Sequence, residues 1–388
     1  MTPMPLELRD VDAAVREIAA RWRRERGARQ ARRHLERADF DALRDAGLLR
    51  LPVPEATGGR WDGITSARPL CELFRHLAGA DASVALVSAM HPAVISYWLF
   101  GPDDPQPAWQ AQRRAVFASA MAGEQWGTIT SEPGSGGDIA RTKAVAAPLD
   151  GEPFLTGAMY GISGDKHFGS GSGICDRMIT TAVAARESDP AVFVLDTRDR
   201  PWDGTAGMEL LAEWDGMGMA ATQSHAMRLV GTPAVRLAWD GPLEEVILPA
   251  APFIATLFTS VVLGVLDEAI GLARVQLKGK ADQLRAFEQV EWSRAEANHW
   301  LAVQAYEGAL RSLEAGDPTV ALHDALRAKE SVAELAEEIL LRLTRVLGGG
   351  TFSRRSPFAH WFEDVRALGF LRPPWGLAFD SMFLTSFD

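Results

Sequence analysis

The sequence predicts an α+β chain in which a helical segment is followed by a sheet and then by long helices. Apolar residues recur three and four positions apart before Phe100 and again after Phe253, which is the period of a helix. Between about residues 115 and 249, short β-branched runs alternate with Gly, Asp and Pro, which is typical of strands. A hydrophobic content of 47% over 388 residues is enough to fill a sizeable core.

The first segment contains three helical stretches. DVDAAVREIAARW and FDALRDAGLL are amphipathic, and Gly47 can end the second of them. After the interruption PVPEATGG, the stretch from Ser66 to Phe100 is apolar nearly all round, which predicts helix in the interior. We place an N-terminal helical domain at residues 1–115.

The patterns of apolar and turn-forming residues also predict the strands of the central segment and the helices of the last one. Four runs are predicted strands of a central β domain at residues 116–249: MITTAVAA (Met178 to Ala185), AVFVLDT (Ala191 to Thr197), AVRLAW (Ala234 to Trp239) and EEVILP (Glu244 to Pro249). Three long helices are then predicted over residues 253–282, 285–315 and 320–346, within a C-terminal helical domain at residues 250–388. Gly348, Gly349 and Gly350 close the last helix.

Composition excludes several classes of function. The net charge of −11 lacks the dense basic face that nucleic acids require, and the arginines between Arg21 and His34 are interleaved with carboxylates as on a solvated helix face. The most apolar run, Pro252 to Leu266, predicts a buried helix, so no membrane span is expected. Two distant cysteines indicate a reducing cytoplasm. The histidine spacings predict no catalytic metal.

Three motifs in this order carry a resemblance to a known family. They are TITSEPGSGGD (Thr128 to Asp138), GDKHFGSGSGICD (Gly164 to Asp176) and LGGGTFSRRSPFAHWFEDVR (Leu347 to Arg366). Together with the order of helix and sheet, they resemble the acyl-CoA dehydrogenase superfamily. The resemblance implies an acyl-CoA dehydrogenase-like fold with a C-terminal four-helix bundle, and a homodimer or homotetramer.

The resemblance also implies a flavin, FAD with FMN as an alternative. A flavin ring is flat with polar edges, and glycines let the backbone approach it. By match to the motifs, the cofactor-binding residues would be Phe168 and Ser170 near the reactive part of the ring, Thr128, Thr130 and Ser131 at its pyrimidine side, and Gly348 and Gly349 beside an adenosine half.

The sequence departs from the dehydrogenase pattern at the catalytic base. A dehydrogenase needs a carboxylate to remove a proton, but Arg372 stands at its usual place and the alternative place, within Pro249 to Phe258, has no carboxylate. Gly137 replaces the serine that contacts the thioester arm. The arginine motif that reaches the FAD phosphates keeps Arg274 but not the residues that follow it.

The reduced-flavin monooxygenase branch, typified by dibenzothiophene monooxygenase, does not need that carboxylate. Its lysine–histidine–phenylalanine pattern resembles Lys166 to Gly171, and it carries a histidine that matches His91. His91 and Ser170 would then be the catalytic residues. For His91 the alternative is a core histidine with satisfied hydrogen bonds. A second histidine of that branch is absent, because Leu368 and Leu371 lie in its region.

Three functions remain open from the sequence: a flavin monooxygenase acting on an apolar substrate, an acyl-CoA or acyl-thioester dehydrogenase with a relocated base, and a non-catalytic flavoprotein. His91 and Glu213 are the candidates for a relocated base. Phe370, Leu371 and Trp375 predict an apolar substrate pocket, or they simply pack the C-terminal segment. A flavin reductase or an electron-transfer protein is the expected partner.

Overall fold

The computed structural model describes residues 8–387. Helices open and close the chain and a sheet lies between them, so the α+β prediction is confirmed at this level, while the domain boundaries stay predictions. The helices are α1 (Leu8–Arg24), α2 (Arg26–Gln30), α3 (Arg37–Asp45), α4 (Ala67–Ala78), α5 (Ala82–Phe100), α6 (Pro107–Met121), α7 (Glu244–Leu277), α8 (Ala286–Ala315), α9 (Pro318–Leu347), α10 (Pro357–Val365) and α11 (Trp375–Leu384). The strands are β1 (Trp126–Thr128), β2 (Val145–Pro148), β3 (Met159–Gly169), β4 (Arg177–Ala184), β5 (Pro190–Asp196), β6 (Met208–Ala212) and β7 (His225–Arg236).

The strand pairings form a closed circuit. β4 pairs with β2, β2 with β3, β3 with β7, β7 with β5, and β5 returns to β4. β1 pairs in parallel with the first residues of β4, and β6 pairs with β7. These pairings close the five strands into a small barrel. The first motif follows β1 and the second begins within β3, and the two segments run antiparallel where Ser131 lies beside His167.

The long helices pack on one another and on the N-terminal helices. α7 contacts α4, α5, α8 and α9, and its buried face continues the main core that includes Phe74, Phe253 and Leu340. The predicted helix from Ser66 to Phe100 is two helices, because Asp81 caps α5 by accepting the Val84 N–H at 2.9 Å. α5 is buried over most of its length and contacts α7 and β1.

The predicted strand at Glu244 to Pro249 is wrong, because these residues form the first turns of α7. Val246, Ala250 and Phe253 are buried at helical spacing, so the apolar period continues across Pro249. Two acidic residues in the first turn also suit the positive end of a helix. Burial of this face offsets the cost of about 3 kcal/mol for an interior proline.

The basic run is also less solvated than predicted. Arg29 is only 4% exposed and pairs with Asp39 at 2.7 Å and Asp81 at 2.8 Å, while Arg23 pairs with Glu268 of α7 at 2.8 Å. These arginines connect the N-terminal helices to the rest of the protein. They are structural cations rather than a surface for binding polyanions.

Two helices, α5 and α7, are long and apolar enough to cross a membrane by length and composition. In each of them, 78% of the most apolar window is buried inside the protein, so their apolar surface is already covered. Neither helix needs lipid to bury its side chains.

Cys71 and Cys175 are both buried free thiols.

Candidate active site

The first two motifs meet directly beside the barrel. The His167 N–H donates to the Ser131 carbonyl at 2.8 Å, which joins the loop after β1 to β3. Lys166 is fully buried, donates to Glu132, and donates to the Thr181 carbonyl at 2.6 Å. Burial opposes the ionised form of Glu132, but hydrogen bonds from Lys166, Thr142 and the Lys143 N–H hold the pKa of Glu132 below its ordinary value.

Phe168 projects from this junction into open space. β3 has an irregularity between Lys166 and Gly169 in its pairing with β7, and Phe168 adopts a φ of 55° there. The bulge turns the side chain out of the sheet, leaving it 58% exposed. Its ring meets the edge of Trp214 at a centroid distance of 6.0 Å. The exposed face of Phe168, supported by Trp214 at an interplanar angle of 77°, forms an aromatic wall that a flat ligand can cover.

Ser170 begins a chain of buried hydroxyls. Its Oγ lies 2.8 Å from Ser224 Oγ, which lies 2.7 Å from Thr222 Oγ1, and Thr222 donates to the Met219 carbonyl at 2.9 Å. The Gly171 N–H also donates to the Thr222 carbonyl at 2.8 Å. The orientation of Ser170 is therefore set by the loop between β6 and β7, which the sequence analysis did not assign to the site.

The third motif reaches the same loop through Asp364 of α10. Its carboxylate accepts the Met219 N–H at 2.6 Å. Burial raises the pKa of Asp364 to about 7; the Met219 hydrogen bond opposes this rise, and Asp81 and Glu363 add to it. All three motifs therefore contribute to one region. Asp364 positions the loop between β6 and β7, one of whose hydroxyls contacts Ser170.

The raised pKa of Asp364 predicts a pH-dependent stability. Unfolding lowers this pKa, so the stabilisation is complete below about pH 4 and is lost as the pH rises to about 7. Asp364→Asn keeps an acceptor for Met219 and should be more stable than the wild type by about 2 to 4 kcal/mol at pH 8, but not at pH 4. Urea unfolding at both pH values measures this. Asp380→Asn on exposed α11 is the control, and a constant difference between the two pH values would contradict the assignment.

The glycines of the second motif are required by close packing. A Cβ on Gly169 would lie 2.7 Å from Ile129 Cδ1, and one on Gly171, where φ is 81°, would lie 2.7 Å from Val87 Cγ1. Thr128 Oγ1 and Thr130 Oγ1 lie 3.3 Å apart and both residues are partly exposed. An aromatic wall, a glycine backbone and a row of hydroxyls fit a flat ring with a polar edge. The residues present therefore fit a flavin.

His91 is placed as a core histidine. The ring is fully buried; Nδ1 accepts the Trp126 N–H at 3.1 Å, so Nε2 carries the proton and donates to the Leu49 carbonyl at 2.9 Å. Burial lowers the pKa of His91 to about 4, and the bond to Leu49 opposes this only in part. Since both ring nitrogens are occupied by the main chain, the geometry favours the structural alternative over a catalytic role.

The remaining predicted residues lie at the end of α9 and in the C-terminal segment. Gly348 and Gly349 end α9, and a Cβ on either would meet no atom within 4 Å. Phe370 is 72% exposed, whereas Leu371 and Trp375 are partly buried against the main core. For Leu371 and Trp375 the structure therefore matches the packing alternative. Their roles in cofactor or substrate binding stay predictions.

Arg372 lies beside the region formed by Ser131, Phe168 and Ser170, which we call the cradle. Its Nη2 donates to Ser131 Oγ at 3.1 Å, so the residue at the usual place of the dehydrogenase base touches the first motif. A Cβ on Gly137 would lie 2.8 Å from Pro374 Cγ, which explains why serine is absent there. The departures at Gly137 and Arg372 are thus one feature, the close packing of the segment Arg372 to Pro374 on the first motif.

Sequence reasoning missed Trp214, Ser224 and Arg372 as members of this region. Trp214 and Ser224 lie in no family motif, and only long-range packing brings them to Phe168 and Ser170. Arg372 was noticed, but as the loss of a base. Within residues 8–387, no group of three His, Cys, Asp or Glu side chains could hold a metal ion.

Known proteins resemble the chain in sequence and fold. No protein-family model matches it. It is 28% identical over 269 residues to the probable FMNH2-dependent monooxygenase SfnC of Pseudomonas putida, an alignment covering 68% of this chain and 60% of SfnC. It is also 26% identical over 358 residues to the putative acyl-CoA dehydrogenase YdbM of Bacillus subtilis (strain 168), covering 86% of this chain and 84% of YdbM.

Among solved structures, FMN-bound TdsC from Paenibacillus sp. A11-2 superposes with a TM-score of 0.78 at 21% identity, covering 96% of each chain. At that identity the superposition establishes the fold. The sequence relatives match the branch that the motifs indicated, so the resemblance is confirmed. The chain is thus similar in sequence to a flavin-dependent monooxygenase and to an acyl-CoA dehydrogenase, and it has the fold of a reduced-flavin monooxygenase.

Proposed function

We propose that this protein is a reduced-flavin monooxygenase that oxygenates a small, largely apolar substrate. The observation that carries the proposal is the cradle around Phe168 and Ser170, in which Arg372 stands where a dehydrogenase has its carboxylate. A guanidinium cannot accept a proton from carbon, whereas oxygenation has no such requirement. The likeness to an FMNH2-dependent monooxygenase supports this reading.

A bound reduced flavin supplies two electrons, so that one atom of O2 enters the substrate and the other leaves as water. The chain supplies position and polarity. Phe168, supported by Trp214, would supply the aromatic wall, Thr128, Thr130 and Ser131 would supply hydroxyls at the polar edge, and Ser170 would offer a hydroxyl held by Ser224. His91 contributes by fixing α5 to β1 rather than by touching substrate.

We infer that the flavin is FMN rather than FAD. The motif that reaches FAD phosphates keeps Arg274 but has Leu277 and Lys278 where Phe and Gly belong. Relatives support the same choice, since SfnC is named as FMNH2-dependent and TdsC is seen with FMN. Under this assignment, Gly348 and Gly349 do not contact an adenosine.

The proposal extends to partners and assembly. A separate flavin reductase would supply FMNH2, and the reducing cytoplasm is the proposed compartment. A homodimer or homotetramer and a C-terminal four-helix bundle follow from the same resemblance. Three helices of 30 residues or more, α7, α8 and α9, are available for that bundle.

Stopped-flow absorbance tests the oxygenation. The FMN-reconstituted protein is reduced without oxygen and mixed with oxygenated buffer, and we expect a transient spectrum that differs from both reduced and oxidised flavin. Ser170→Ala should shorten the lifetime of this transient by about 10-fold or more, corresponding to about 1.4 kcal/mol or more. Ser163→Ala, on the same strand, is the matched control.

The dehydrogenase alternative predicts a different result. Acyl thioesters would then bleach the oxidised flavin without oxygen, and reoxidation would proceed in one step without a transient. That pair of observations would overturn the proposal. The 26% identity to YdbM is the reason to include the thioester arm in the experiment.

A further inference from the structure

Arg372 is an arginine without a carboxylate partner in the described part of the chain. It lies between the 3₁₀ turn Arg366–Phe370 and α11, and Ser131 Oγ is its one hydrogen-bond partner there, at 3.1 Å. The more deeply placed arginines behave differently, since Arg29 and Arg177 each pair with two carboxylates or more. A partly buried cation that lacks such a partner is costly unless an anion joins it.

The charged and titratable groups around Arg372 do not occupy the N–H donors of its guanidinium group. Burial lowers the pKa of Arg372, and Tyr97 of α5 and Asp138 oppose this lowering. Asp138 already accepts the Ala140 N–H at 2.9 Å, and the nearby Lys166 is held by Glu132. No nitrogen of Arg372 is among the fully enclosed side-chain atoms that lack a partner. Its remaining N–H groups are therefore unpaired in the described residues without being completely enclosed.

The segment that carries Arg372 is fixed in place. Pro374 packs on Gly137 so closely that any side chain there would collide, and Leu371 and Trp375 on either side are held against the main core. The guanidinium is thus presented by a packed segment at the edge of the cradle rather than by a mobile tail. A fixed fork of donors suits a planar or pyramidal oxyanion, which it can bind through two parallel hydrogen bonds.

We propose that Arg372 binds the oxyanion group of the substrate, a carboxylate or a sulfinate, beside Ser131 and Tyr97. This inference rests on the proposed function and narrows its substrate class to small organic anions with an apolar body. The same donor chemistry could instead serve the pyrimidine oxygen of the flavin, because Ser131 is expected at that edge. The experiment separates these two sources.

Binding to the FMN-loaded, oxidised protein is measured by calorimetry without a reductant, so no turnover is involved. The probes are two pairs of similar shape and different charge: methanesulfinate with dimethyl sulfoxide, and benzoate with benzamide. We expect at least one anion to bind about 10-fold to 100-fold more tightly than its neutral partner. Arg372→Met should abolish this preference and Arg372→Lys should keep part of it. Arg366→Met, on the exposed preceding turn, should leave it unchanged.

Equal binding of anion and neutral probe in the wild type, or an unchanged preference in Arg372→Met, would overturn the inference. If Arg372→Met instead lowers the reduction potential of bound FMN and no anion preference exists, the guanidinium serves the flavin. If Arg372→Met does not fold, the wild-type comparison and Arg372→Lys decide. If the protein prefers anions but shows no oxygen-dependent transient, only the proposed function is contradicted. If it shows the transient but no preference for anions, only this inference is contradicted.

Discussion

Lys166→Met is expected to lower the free energy of unfolding by about 3 to 5 kcal/mol. The substitution leaves the Glu132 carboxylate buried without its cation, and it also removes the donor to the Thr181 carbonyl. The loop that holds Ser131 would lose its anchor to β3, so affinity for FMN should fall as well. Urea unfolding and FMN fluorescence titration measure the two effects.

The control for this prediction is an exposed ion pair on the same strand. Asp165 pairs with Arg228 at 2.9 Å, and Asp165→Ala should cost no more than about 1 kcal/mol. Adding Glu132→Gln to Lys166→Met removes the stranded charge and should recover part of the stability. A cost for Lys166→Met as small as that of Asp165→Ala would show that the buried pair does not anchor the loop.

Gly171→Ala is expected to destabilise the protein by about 2 to 5 kcal/mol. The φ of 81° is unfavourable for alanine, and the new methyl group would lie 2.7 Å from Val87 Cγ1 and 2.8 Å from Cys175 Sγ. Because Gly171 follows Ser170 directly, the shift should also weaken FMN binding. Thermal unfolding with and without FMN measures both effects.

Gly136→Ala separates backbone strain from packing in this prediction. Gly136 has a φ of 65° but no atom within 4 Å of an added Cβ, so only the backbone cost of about 1 to 2 kcal/mol remains. Adding Val87→Ala to Gly171→Ala should relieve part of the collision. Equal costs for the two glycine variants would mean that close packing does not explain the glycine at position 171.

Local sequence signals located much of the fold. The helices predicted at residues 285–315 and 320–346 are found at Ala286–Ala315 and Pro318–Leu347, because periodicity, capping residues and the terminal glycines are local information. The same signals failed at Glu244 to Pro249. There, a short apolar run containing proline is compatible with a strand or a helix, and burial of Val246 and Phe253 in the core decides for the helix.

The candidate site was also only partly predictable from the sequence. The motifs predict Ser131, Phe168 and Ser170 as site residues of a flavin, and the structure brings these residues into one region, while the sequence shows Arg372 at the usual place of the carboxylate. Which hydroxyl orients Ser170 was not visible, since Ser224 lies 54 residues away along the chain. The sequence also left His91 open between two roles, and only its contacts with Leu49 and Trp126 favour one of them.

The sequence alone thus determined the order of helix and sheet, and it carried the resemblance to the superfamily and the expectation of a flavin, because these depend on short local patterns. The tertiary structure decided the closure of the barrel, the pairing of Arg29 within the fold, the structural place of His91 and the free fork of Arg372. Those features depend on which distant groups share a buried, low-dielectric environment. Hydrogen bonds and charges have their effect there through neighbours in space, which the order of residues does not specify.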